Sequence, residues 1–132
     1  VIVGVGVDIV DVNRMKRILE SSRSRRFLER VFSDEEIRAC EATAHPAQGF
    51  AARFAAKEAL AKALGTGFSR GVTPARIMVQ GEERSRPTIA LTDKALAVAR
   101  SMDVGRIHVS LTHTDQSACA LVVLEYDRSP GE

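Results

Sequence analysis

The chain has no tryptophan, one tyrosine and two cysteines. Each shortage excludes something. Five phenylalanines and one tyrosine in 132 residues are too few for the aromatic platforms on which single-stranded nucleic acid stacks. Cys40 and Cys119 lie far apart and match no metal-binding spacing. They read as small core residues of a reduced, cytoplasmic protein. Net charge is also scarce: 19 basic against 17 acidic side chains leave +2, so bulk charge does not argue for nucleic acid. No apolar run approaches the length of a membrane span. The opening VIVGVGVDIV lacks the basic start and small-residue cleavage site of a signal peptide. Neither a nucleic-acid nor a membrane partner is expected.

What is present is an ordinary globular balance, 45% hydrophobic and 27% charged. The length suits one domain with a real core, expected over 1–127, with a flexible tail at 128–132. The first ten residues alternate. Val1, Val3, Val5, Val7 and Ile9 share one face of a strand and are expected in the core; Ile2, Gly4, Gly6 and Asp8 share the other. The glycines leave room for a backbone or a ligand, and Asp8 ends that open face.

Asp11 can cap a short helix that turns Val12, Met15, Ile18 and Leu19 inward. The Ser/Arg stretch beyond it is a turn or a second short helix. FSDEE holds a capping box, Ser33 with Glu36, ahead of a helix at about 34–42, and capping alone accounts for both residues. A long helix follows from roughly Gln48 to Leu64 and stops at Gly65. ARIMVQ and PTIAL read as a hairpin, Thr92 caps a further helix, and RIHVSLTH and SACALVVLEY are the last two strands. Without a steady βαβ alternation, the expected fold class is α+β, an antiparallel sheet packed against the long helix.

Charge is concentrated locally. RSRR, Arg23 to Arg26, follows Arg14, Lys16 and Arg17. Such a run is an ordinary solvated face or a surface for an acidic partner. The long helix carries Arg53, Lys57, Glu58 and Lys62 among alanines and leucines. Glu58 four residues before Lys62 suits a surface ion pair. The other reading brings in Asp8: two carboxylates near one another can hold Mg²⁺, whose shell water and phosphate oxygens complete, with Lys62 beside the phosphates. Spacing leaves both open. Gly65 and Gly67 either end the helix or offer N–H groups to a phosphate. His45 reads as a loop residue. His108 faces outward or into a subunit contact, and His113 stands at a strand end.

Taken in order, GVGVDIVDVNR, FSDEE, RFAAKEALAKALGTG, Arg86-Pro87 and HVSLTH resemble the small, single-domain 4′-phosphopantetheinyl transferases, the holo-[acyl-carrier-protein] synthases. The resemblance spans nearly the whole chain. Ser85 stands where that family usually has glycine, and Thr112 departs from its Ser-x-Ser-His pattern. The resemblance implies transfer of phosphopantetheine from coenzyme A to a serine of apo acyl carrier protein, releasing adenosine 3′,5′-bisphosphate, in fatty acid biosynthesis. It implies Mg²⁺ on Asp8 and Glu58, with Lys62 completing the catalytic set. Arg53, Lys62, Gly65, Arg86, Pro87 and His113 become coenzyme contacts, and Arg14 and Arg17 the docking face for an acidic carrier. It also implies a homotrimer with active sites between subunits, so that Arg53 and Lys57 serve a neighbour's site. The proton acceptor stays open between Glu58 and a water on the metal. Two rivals remain: another Mg²⁺-dependent enzyme cleaving the coenzyme A pyrophosphate, and a non-enzymatic module that binds acyl carriers.

Overall fold

The computed structural model describes residues 1–81 and 85–126. The expected tail at 128–132 and the middle of the GEERSR loop lie outside them. The order is β1 (Ile2–Asp11), α1 (Val12–Glu20), α2 (Ser24–Val31), α3 (Asp34–Glu41), α4 (Pro46–Ala63), a 3₁₀ turn at Pro74–Arg76, β2 (Ile77–Gln80), β3 (Thr88–Leu91), α5 (Asp93–Ser101), β4 (Val104–His113) and β5 (Ser117–Tyr126). The strands form two antiparallel sheets, β1-β5-β4 and β2-β3. The fold is α+β, and the Ser/Arg stretch is a turn that passes into the short helix α2 at Ser24.

Local chemistry accounts for most element ends. The Asp11 carboxylate accepts the Asn13 N–H and starts α1. Ser33 and Glu36 form the full capping box of α3. Pro46 sits in the first turn of α4, where its missing N–H costs nothing. Gly65, at φ +82°, ends that helix. Thr92 occupies the N-cap position of α5, but its hydroxyl makes no capping bond, contrary to expectation.

The alternation of β1 is real, and its buried side is the reverse of the one expected. Val5, Val7 and Ile9 are 56%, 57% and 68% exposed, whereas Gly6 is buried. The reason is how closely β1 lies on α4. A Cβ on Gly6 would fall 1.9 Å from the Ala59 carbonyl oxygen, and one on Gly4 2.2 Å from that of Ala63. Only a glycine face can meet the alanine face of α4 at that distance. Large side chains must therefore point away. In register with Val123, Leu121 and Cys119 of β5, Val5, Val7 and Ile9 make an apolar outer face on the sheet.

The core lies on both sides of α4. One part joins its C-terminal half to β2, β5 and α5 through Leu60, Val79, Val122, Leu124 and Ala95. The other joins its N-terminal half to α1, α2 and α3 through Phe50, Met15, Leu28 and Ile37. All five phenylalanines link in a chain, Phe68–Phe54–Phe27–Phe32–Phe50, with centroids 5.0–6.4 Å apart, the two contacts of Phe27 being T-shaped and the outer two tilted.

Candidate active site

The close seat of β1 on α4 brings together residues fifty positions apart. Asp8 follows Gly4 and Gly6 on the inner face and meets the last turns of α4, where Glu58 and Lys62 project. Lys62 Nζ donates to Asp8 Oδ1 at 2.8 Å and to the Val7 carbonyl at 3.3 Å. Lys62 thus pairs with Asp8, and the simple Glu58–Lys62 surface pair is not what forms. The Asp8 side chain is 9% exposed and that of Lys62 54%. Asp8 Oδ2 is buried without a hydrogen-bond partner. Burial raises the Glu58 pKa from 4.5 to about 7; the neighbouring Asp8 carboxylate adds to this, and Lys62 and Arg14 oppose it.

Two carboxylates held together, one with an orphaned oxygen and the other resisting ionisation, suit a hard divalent cation. No group of three His, Cys, Asp or Glu that could hold a metal occurs among the described residues, so a closed protein cage is not offered. Magnesium needs only one or two carboxylates and takes its remaining ligands from water and phosphate. Asp8 and Glu58 fit that ion.

Beside Glu58 opens a cavity of about 560 Å³, walled by Met15, Ile18, Phe27 and Phe54, with Arg14 also on its lining. It suits an apolar chain with a charged reacting end. Sequence reading missed Phe27 and Phe54 as lining residues. Phe54 lies one turn before Glu58, a spacing that could have flagged it. Phe27 is brought in by the packing of α2, which no local pattern reveals.

The other expected residues fall elsewhere. Arg53 projects toward β2, where Nη1 donates to the Val79 carbonyl at 2.6 Å and Nη2 to that of Gly81 at 3.1 Å. Gly81 packs against Arg86 and Pro87, so the expected coenzyme residues Arg53, Arg86 and Pro87 share one region, on the β2 side of α4. Lys57 is fully buried. Its ammonium donates to Glu36 Oε1 and the Pro74 carbonyl, each at 2.9 Å, and to the Ile77 carbonyl. Glu36 Oε2 also accepts the Val79 N–H at 3.1 Å. Charged side chains thus satisfy the edge of β2 that β3 leaves unpaired. The expectation that Lys57 serves a neighbouring site is overturned, because all its donors are used inside the fold. Capping alone does not account for Glu36 either.

The N–H groups of Gly65 and Gly67 donate to the Lys62 and Ala61 carbonyls. They close the helix and are not free for a phosphate; what Gly65 offers a ligand is open space. His113 pairs with Ala118 at the end of β4 and is exposed; its row in the sheet also holds Val10, and the row of Ile9 and Cys119 separates it from that of Asp8. The structure does not bring it into contact with the two carboxylates. Arg14 and Arg17 are exposed on α1, and Arg14 is the one near Glu58. His108 bonds to Glu125 at 3.0 Å on the outer face, and His45 merely precedes α4. No helix among the described residues is long and apolar enough to cross a membrane.

Comparison with known proteins identifies the family. The family model of the 4′-phosphopantetheinyl transferase superfamily matches residues 4–122. The holo-[acyl-carrier-protein] synthase of Koribacter versatilis is 44% identical over 124 residues, covering 94% of this chain and 98% of that protein. Among solved structures, the holo-[acyl-carrier-protein] synthase of Neisseria meningitidis superposes with a TM-score of 0.84 at 29% identity, covering 95% of this chain and 99% of that one. The synthase from Bacillus anthracis in complex with CoA (3′,5′-ADP) gives 0.77 at 31% identity, covering 96% and 98%.

Proposed function

The chain belongs to the 4′-phosphopantetheinyl transferase superfamily and groups with its holo-[acyl-carrier-protein] synthases, and we propose that it moves phosphopantetheine from coenzyme A to an apo acyl carrier protein at a Mg²⁺ site made by Asp8 and Glu58. The observation that carries the metal assignment is the buried, unpartnered Asp8 Oδ2 beside a Glu58 whose pKa is pushed up to about 7. The by-product is adenosine 3′,5′-bisphosphate. The nucleotide named with the Bacillus anthracis relative supports this product.

Phosphoryl transfer asks a protein mainly for positioning and charge neutralisation. Asp8 and Glu58 would hold the cation, which would supply charge neutralisation for the pyrophosphate. Lys62, on an exposed flexible stem, turns its ammonium to the leaving phosphate. The apolar cavity accommodates the pantetheine arm and excludes water from its length. The carrier serine oxygen then gives up its proton and bonds to the pantetheine-side phosphorus as the bridging P–O bond breaks, and adenosine 3′,5′-bisphosphate leaves with the bridging oxygen. Arg14 and Arg17, exposed on α1, receive the acidic carrier near the cavity.

The working assembly is a homotrimer. Its support is the outer face of β1 and β5, where Val5, Val7, Ile9 and Leu121 stay exposed in the single chain. Arg53, Arg86, Pro87 and His113 lie apart from the carboxylates of their own chain, and they reach a neighbour's coenzyme across that assembly. Arg53 does so while keeping its bonds to β2. The setting is the cytoplasm, in fatty acid biosynthesis.

Intact-mass spectrometry tests the reading. Apo acyl carrier protein incubated with the chain, coenzyme A and Mg²⁺ gains one phosphopantetheine, and the gain is lost on chelation and in Asp8→Ala. Transfer that persists in both would refute the metal site.

A further inference from the structure

Lys62 occupies a position that the metal reading makes awkward. Its ammonium lies 2.8 Å from Asp8 Oδ1, on the carboxylate proposed as a metal ligand. It touches only the outer oxygen, while Oδ2 faces inward without a partner. Little else holds it. Its other bond is a longer one to the Val7 carbonyl, and its stem is half exposed. With Asp8 and Glu58 both ionised, the lysine leaves the pair with one uncompensated negative charge. A dication arriving with Lys62 in place reverses the balance, setting three positive charges against two negative ones. Lys62 is then repelled at short range, unless further negative charge arrives to receive it. The pyrophosphate of coenzyme A supplies that charge.

Resting on the magnesium reading above, we infer that Lys62 is a placeholder: it sits on Asp8 in the ligand-free chain and leaves for the pyrophosphate when metal and coenzyme bind together. Lys62 therefore weakens metal binding when coenzyme is absent and ceases to do so when coenzyme is present. The site fills with both ligands in concert, and a stray cation alone is held poorly.

The test uses Mn²⁺ as the probe, with free ion counted by electron paramagnetic resonance. The unsubstituted chain and Lys62→Met are titrated with and without coenzyme A, and ion held by coenzyme A alone is subtracted. Lys62 is exposed, so the variant is expected to fold, and a thermal melt checks that. Without coenzyme, Lys62→Met is expected to bind Mn²⁺ about tenfold more tightly. With coenzyme A the advantage disappears. Equal or weaker binding by Lys62→Met in the absence of coenzyme overturns the inference. So does an advantage that persists with coenzyme, because a lysine that stays in place repels the ion in both states. An Asp8→Asn control separates the two levels of argument: if it binds Mn²⁺ as well as the unsubstituted chain, the metal reading itself fails, and so it does if neither the unsubstituted chain nor Lys62→Met binds the ion.

Discussion

Gly6→Ala adds a single methyl at the tightest contact in the molecule. That methyl would lie 1.9 Å from the Ala59 carbonyl oxygen, 2.8 Å from its carbonyl carbon and 2.9 Å from the Ala63 nitrogen. All three are backbone atoms of a buried helix, so no side chain can rotate aside. Ordinary contacts lie near 3.5 Å, which requires β1 and α4 to separate by about 1.5 Å. Overpacking of this kind costs about 3 kcal/mol when the backbone must yield. For a domain of this size the melting temperature then falls by roughly 10 °C. The damage does not stop at stability. Asp8 is two residues further along the same face and moves with β1, whereas Glu58 stays with α4. A displacement on the order of 1 Å between groups that must act together costs about a hundredfold in rate. Thermal unfolding by circular dichroism gives the first quantity. Transfer to an acyl carrier, measured well below the transition, gives the second. A variant that melts within about 2 °C of the parent and transfers at full rate would refute the close-packing argument and, with it, the account of how the two carboxylates meet.

Glu58 gives a pH-dependent signature. Its folded pKa is raised from 4.5 to about 7, so the unfolded chain ionises it first and stability is lost as pH rises through that window. Metal-free Glu58→Gln is expected to match the parent at pH 4 and to exceed it at pH 8 by about 1 kcal/mol, a figure reduced for the partial exposure of the group. Urea unfolding in chelator checks this, and a gap that does not change with pH would contradict it. Lys57→Met strips the buried Glu36 of its cation and is expected to cost about 4 kcal/mol, with Glu36→Gln/Lys57→Met costing less than that single change. Equal urea midpoints for the parent and the single variant would refute the buried pair's role. If the proposed trimer forms through the exposed outer face, the parent is expected to run as a trimer in light scattering and Val7→Glu as a folded monomer; a monomeric parent would refute the trimer, and a trimeric Val7→Glu would refute this interface. Arg14→Glu is expected to weaken carrier affinity about tenfold, and unchanged affinity would remove Arg14 from the docking face.

Periodicity and capping chemistry were enough to locate nearly every element, because those signals are local. Asp11, the Ser33–Glu36 box and the glycine after α4 act on their own neighbours, and they do so here. Motif order was enough to indicate the family, since it rests on residue identity alone. The alternation of β1 set which residues share a face. Which face is buried was decided by the helix laid against it: glycine and alanine surfaces can approach to backbone contact, and that gain outweighs the burial of the valines. The same contact decided the partner of Lys62, because Asp8 arrives from the far end of the chain and the helical neighbour Glu58 does not win the lysine. Lys57 and Glu58 are consecutive in sequence yet meet opposite fates. One turns inward to three acceptors on α3, the 3₁₀ turn and β2, and the other faces β1 and a cavity. Sequence supplies the charges and their spacing along a helix; only the packing of other elements on that helix determines which charge is neutralised inside and which is left to meet a ligand.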